Sequence, residues 1–152
     1  MSHWPRRKPT RLPNYNYSEA GGYFITVCTE EKRCILWDSN GISETGILVQ
    51  KQLAHMADFY SHIAIDKYVV MPNHIHMILL VRHGTDAQGA NAAIPKFVSA
   101  FKRFTNRNAG QTLWQRSYHD HVIRNEEDYL RIWQYIDSNP AKWCEDCYFE
   151  EI

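Results

Sequence analysis

Residues 69–81 read Val69-Val70-Met71-Pro72-Asn73-His74-Ile75-His76-Met77-Ile78-Leu79-Leu80-Val81. The run is short, rich in Val and Ile, and broken only by Pro72-Asn73, which has turn chemistry. It predicts a hairpin with arms Ile65–Met71 and His74–Val81. Successive side chains of a strand point to opposite faces, so His74 and His76 point the same way, about 6.7 Å apart at Cα. Two imidazoles so placed can converge on one divalent cation. One histidine in a core strand is ordinarily a satisfied buried residue, whereas two on one apolar face are costlier to bury without partners. Spacing alone leaves metal ligation and paired core histidines both open.

Working outward, Gly21-Gly22 releases a strand over Tyr23–Thr29, and 30–43 reads as a loop with an apolar turn at Ile35-Leu36-Trp37. A helix is expected over Thr45–Tyr60, from Leu48, Val49, Leu53, Met56, Ala57 and Tyr60 at helical spacing. After the hairpin, 82–92 reads as a flexible loop. A second helix follows over Ala93–Asn106, with Ile94, Phe97, Val98, Phe101 and Phe104 as its apolar stripe. Short strand-like pieces near Leu113–Gln115 and His119–Ile123 lead to a last helix, capped by Asn125 and ended by Asn139-Pro140. The order β-α-β-β-α-β-α predicts an α+β fold, an antiparallel sheet with helices packed on it in a ferredoxin-like sandwich. The 152 residues suit one domain, long enough to bury a core without a disulfide or metal staple.

Lys and Arg number 17 against 17 Asp and Glu, which excludes a protein that coats nucleic acid by bulk charge. The charges are unevenly placed. Residues 1–20 form an extended basic arm in which Arg6, Arg7, Lys8 and Arg11 are candidate phosphate contacts. Lys96, Lys102, Arg103 and Arg107 lie largely outside the apolar stripe of their helix. They read either as a solvated face or as a DNA-binding patch in which Lys102 and Arg103 contribute. Cys144 and Cys147 have metal-like spacing with no second pair to complete a zinc site. No secretory signal and no bilayer-length apolar run is visible, so a cytoplasmic protein with no membrane partner is expected.

The last helix carries Tyr135 and Asn139, four apart and so on one face. Were that face to pack over His74 and His76, three candidate metal ligands (His74, His76 and Asn139) would meet a tyrosine hydroxyl. Mixed His and Asn ligation suits Mn²⁺ or Mg²⁺. A tyrosine is a weak nucleophile at neutral pH, and a metal on a scissile phosphate would polarise and align that phosphate for attack. Tyr129 lies about 600° round the helix from Tyr135 and cannot share its view of the metal. Tyr118 is the other rival.

Pro72-Asn73-His74-Ile75-His76-Met77, followed about sixty residues later by Tyr135-Ile136-x-x-Asn139-Pro140-x-Lys142-Trp143, resembles the HUH-type single-tyrosine transposases, and within them the REP-associated tyrosine transposases. The resemblance takes in Arg6-Arg7-Lys8-Pro9, Tyr23 to Thr29, Ser99 to Lys102 and Leu113 to Arg124. It implies that His74 and His76 are the paired metal-binding histidines, Tyr135 the nucleophile, and Asn139 the third ligand. It further implies a metal-dependent enzyme that cleaves single-stranded DNA beside imperfect hairpins. Such an enzyme forms a 5′-phosphotyrosine link, frees a 3′-OH, can rejoin strands and can work as a homodimer.

Two other functions fit the same residues. One is a hairpin-DNA-binding regulator of the same fold without activity. The other is a metal-dependent hydrolase in which His119 or His121 serves as general base.

Overall fold

The computed structural model describes residues 21–60, 62–81 and 87–145. The basic arm, with Arg6, Arg7, Lys8 and Arg11, and the second cysteine of the Cys144/Cys147 pair therefore lie outside the described residues. The chain runs β1 (Gly22–Cys28), β2 (Trp37–Asp38), β3 (Gly41–Ile42), α1 (Glu44–Phe59), β4 (Ile63–Met71), β5 (His74–Val81), α2 (Ala87–Ala109), β6 (His119–Ile123) and α3 (Glu126–Ser138), then a 3₁₀ turn over Pro140–Glu145. The main sheet has the order β4-β5-β1-β6, and all its neighbours pair antiparallel. Helix α1 links β1 to β4 across β5, and α2 links β5 to β6 across β1. These are the two split β-α-β units of the ferredoxin-like arrangement.

The hairpin forms because Pro72-Asn73 turns the chain between two paired arms, with Met71 opposite His74 and, beyond a bulge between Ile65 and Lys67, Ile63 opposite Val81. Every residue of β5 is buried, since the strand is central and both sheet faces are covered. Its odd positions, Ile75, Met77, Leu79 and Val81, join Ile25, Val27, Leu53, Met56, Phe97 and Phe101 in the core under α1 and α2. Even positions Ile78 and Leu80 face the other way, against Tyr129, Ile132 and Ile136 of α3. Each such fully buried aliphatic side chain contributes about 1.5–3 kcal/mol. Helix α3 thus covers the face on which His74 and His76 lie, while the other two helices cover the opposite one.

Helix ends follow their local chemistry. The Ser43 side chain accepts from the Gly46 amide at 3.1 Å, and the Asn125 side chain accepts from the Asp128 amide at 2.8 Å. Gly46 is where α1 crosses the backbone of the preceding loop. A Cβ there would stand 2.3 Å from the Leu36 carbonyl oxygen.

Three expectations change. The region 82–92 is not loop throughout, because α2 already runs from Ala87; its alanines are strong helix formers and outweigh Gly89. Leu113–Gln115 is no strand but a single bridge, Trp114 to Thr29. Within 30–43, the pairing of Trp37 with Ile42 and Asp38 with Gly41 makes a small second sheet. Among the described residues no helix is long and apolar enough to cross a membrane.

Candidate active site

The structure brings His74, His76 and Tyr135 together. His74 and His76 are 0% and 1% exposed, and their Nε2 atoms stand 3.1 Å apart. Each ring is held from behind. His74 Nδ1 lies 2.8 Å from Asn73 Oδ1, and the Asn73 amide nitrogen donates to the Lys32 carbonyl at 3.4 Å. That second bond sets the amide so that its oxygen faces His74. A carbonyl oxygen only accepts, so His74 carries its proton on Nδ1 and turns a lone pair on Nε2 toward His76. His76 Nδ1 lies 2.8 Å from Thr26 Oγ1. A hydroxyl can donate or accept, so His76 can take either tautomer. With Nε2–H it donates to His74; with Nδ1–H both Nε2 lone pairs face one point, an arrangement that needs a cation between them.

Helix α3 lies over this pair. The Tyr135 ring is 5.2 Å from the His76 ring, and the Trp143 ring is 6.0 Å from that of His74. Asn139 sits between them in sequence, four residues from each, and is 3% exposed. Its Oδ1 is a buried oxygen with no hydrogen-bond partner among the described residues. A buried amide oxygen left unsatisfied costs about 1–3 kcal/mol, and a bound cation is one group that would satisfy it. Among the described residues no three His, Cys, Asp or Glu side chains gather as a metal set. The donors that converge here are two imidazoles, and Asn139, on the turn between Tyr135 and Trp143, is the candidate third; such a set would leave positions open on Mn²⁺ or Mg²⁺.

Tyr135 is 39% exposed and lies edge-on to Phe24 at 6.2 Å. It lines a cleft of about 470 Å³ with Phe24, Thr26, His76, His121, Arg131 and Ile132. The rival tyrosines are elsewhere. Tyr129 is fully buried and its hydroxyl donates to Asp66 at 2.5 Å. Burial raises the Asp66 carboxyl above its usual range against the lowering effects of that bond and of Lys67. Tyr118 packs against the core on the far side of the sheet. Lys67 adds a second tether for α3, bonded to Asp137 at 2.8 Å and lying 3.8 Å over the Trp133 ring.

The basic residues of α2 divide. Lys102 is bonded within the fold. Its ammonium donates to the carbonyls of Gln115, Arg116 and Ser117 at 2.7, 3.1 and 2.9 Å, which uses all three of its protons. Burial lowers its pKa. Arg103 is exposed, with its guanidinium 5.0 Å over Phe104, on the helix that covers the sheet face away from the cleft. The cleft has its own cation instead. Arg131 bonds Asp128, and Asp128 also takes His121 Nε2 at 2.9 Å. Nothing in spacing alone marked Arg131. His121 could be placed only once β6 was known to pair with β1, where it stands opposite Phe24.

No family model matches the chain. An uncharacterised protein of Haemophilus influenzae is 30% identical over 92% of this chain and 91% of its own length. The REP-associated tyrosine transposase of Escherichia coli K12 is 32% identical over 51% of this chain, which spans only 44% of that protein. A second Haemophilus influenzae protein, described as a candidate member of the same group, is 23% identical over 86% of this chain and 77% of its own length. A solved structure of a REP-associated tyrosine transposase bound to a REP hairpin superposes with TM-score 0.65 at 22% identity, covering 88% of this chain and 73% of that one. That likeness is one of fold, and it agrees with the antiparallel sheet and helices described above. With the paired histidines on the central strand and the tyrosine on the helix above them, the chain is similar in sequence to two proteins named as REP-associated tyrosine transposases, and it shares the fold of a solved one.

Proposed function

We infer that the protein is a metal-dependent single-strand DNA transposase that cleaves and rejoins DNA beside hairpins, with Tyr135 as nucleophile. The observation that carries this reading is the Tyr135 ring 5.2 Å from His76, on the histidine pair whose Nε2 atoms converge. His74, His76 and Asn139 would hold Mg²⁺ or Mn²⁺. When bound, that ion would polarise the scissile phosphate and fix it in line. The chain's own residues do the rest. Asn73 and Thr26 orient the two imidazoles, Phe24 and His76 flank the Tyr135 ring, and the Asp66 and Lys67 tethers hold α3 at its height. Tyr135 Oη attacks phosphorus, the bond from phosphorus to the 3′ oxygen breaks, and a 5′-phosphotyrosine link and a free 3′-OH result. Attack by a 3′-OH on that link reverses the step and joins strands. DNA would reach the cleft through the basic arm and Arg131, with Arg103 as an outlying contact. A REP hairpin is bound by the structural neighbour, which supports hairpin DNA as the substrate class.

One observation favours a second reading. His121, oriented by Asp128, lies in the same cleft, as a water-activating hydrolase would need. Incubation of wild type and Tyr135→Phe with a single-stranded hairpin oligonucleotide and Mn²⁺ separates the two. The transposase gives a covalent adduct that the variant loses. A hydrolase cleaves without an adduct in both, and a pure binder leaves the DNA whole in both.

A further inference from the structure

The cleft beside Tyr135 holds a second set of groups. His121 and Phe24 are opposed on β6 and β1 and so project from the same sheet face. His121 Nε2 faces Asp128 Oδ2 at 2.9 Å. A carboxylate accepts, so this nitrogen carries the proton in the neutral ring and Nδ1 carries the lone pair. Asp128 is itself fixed. Its side chain is 11% exposed, its amide donates to Asn125 Oδ1, and its carboxylate takes the Arg124 amide at 3.3 Å and the Arg131 guanidinium. Burial pushes the Asp128 carboxyl up, but the bonds from His121 and the Arg124 amide and the charges of His121 and Arg131 prevail, so it stays below the usual carboxylate value. The carboxylate is therefore ionised, and the imidazole beside it is oriented by the first turn of the same helix that carries Tyr135 one and a half to two turns later.

We propose that His121 is the general base for Tyr135, with Asp128 as its positioning residue. A nucleophile, a histidine and a carboxylate holding that histidine reproduce the logic by which hydroxyl nucleophiles are activated. The proposal rests on reading Tyr135 as the nucleophile. As Tyr135 Oη forms its bond to phosphorus, its proton passes to His121 Nδ1. The resulting imidazolium is stabilised by Asp128. The 3′ oxygen departs with the electrons of the broken bond and takes a proton from water, and His121 returns its own proton to water, so one proton moves overall from Tyr135 to the new 3′-OH. On rejoining, a protonated His121 gives the proton back to the departing phenolate. A metal held by His74, His76 and Asn139 would polarise the phosphate, while the proton of the tyrosine passes to the protein.

The test needs neither metal nor DNA. Tyr135 and Tyr68 are almost equally exposed, 39% and 38%, so Tyr68 is an internal control. The metal-free protein is treated with an aryl sulfonyl fluoride, and modification of each tyrosine is followed by peptide mass spectrometry. Tyr135 should react at least about tenfold faster than Tyr68. In His121→Ala its rate should fall to that of Tyr68, and added imidazole should restore it. Equal rates for the two tyrosines in wild type, or an undiminished Tyr135 rate in His121→Ala, would overturn the proposal. With hairpin DNA and Mn²⁺, His121→Ala should slow adduct formation about a hundredfold while hairpin binding is kept. Lost binding with unchanged labelling would make His121 a phosphate contact and not a base. Absence of any adduct from wild type would instead strike the nucleophile reading, and the labelling result separates that failure from this one.

Discussion

His74 Nε2 and His76 Nε2 stand 3.1 Å apart on a strand buried along its whole length. His74 has a fixed tautomer and His76 a switchable one, so a cation would find two imidazole lone pairs turned on one point without movement of the rings. Mn²⁺ should therefore raise the thermal midpoint of the wild-type protein. At about a hundredfold excess over the dissociation constant the gain is about 2.7 kcal/mol. His76→Ala should lose the shift. A wild-type midpoint indifferent to Mn²⁺, with no heat of binding by calorimetry, would refute the site.

Asn139 separates a metal ligand from a structural amide. Its Oδ1 is buried without a partner among the described residues, so its removal frees the metal-free protein of a desolvation cost. Asn139→Leu should leave stability without metal unchanged or raise it by about 1 kcal/mol, and should weaken Mn²⁺ binding at least tenfold. Urea unfolding and calorimetry on the same variant check both halves. Lower stability with normal Mn²⁺ binding would make Asn139 a packing residue.

Lys102 should matter to folding and not to DNA. Three bonds from one ammonium to the carbonyls of 115–117 hold the segment that leads into β6. Lys102→Met should cost about 1.5–3 kcal/mol in urea unfolding. Hairpin affinity, measured by anisotropy, should stay within about twofold. An intact midpoint with lost affinity would return Lys102 to the DNA surface.

Asp128 gives a stability signature in acid. Its folded value lies below the ordinary 3.8, so the ionised form is favoured by folding. That contribution is fully present above 3.8 and is lost as pH falls through the folded value. The stability gap between wild type and Asp128→Asn should thus shrink as pH falls below about 4. A gap that widens in acid would mean that the carboxyl is raised, not lowered.

Much of this fold was legible because its signals are local. Pro72-Asn73 between apolar arms marks the hairpin, and Asn125 and Pro140 bracket α3. The four-residue spacing of Tyr135 and Asn139 puts them on one face before any packing is known. What was not legible depends on long-range packing. The apolar stripe of α3, Tyr129, Ile132 and Ile136, shows that the helix packs on something apolar but not on which face of the sheet. Lys102 looks like any lysine off a helix stripe until the 115–117 carbonyls close on it. His121 and Arg131 share a cleft with Tyr135 only because β6 pairs with β1. The start of α2 was hidden by Gly89, a weak breaker among alanines.

Tyr135 is, as proposed, the residue that bonds to DNA. The direct measurement is peptide mapping by mass spectrometry of protein reacted with a single-stranded hairpin oligonucleotide from the flanks of its own gene, in Mn²⁺. The expected product is a 5′-linked nucleotide mass on the peptide containing Tyr135, absent from Tyr135→Phe and strongly reduced in His76→Ala. A nucleotide mass on any other residue, or cleavage of the oligonucleotide with no covalent protein product, would contradict it.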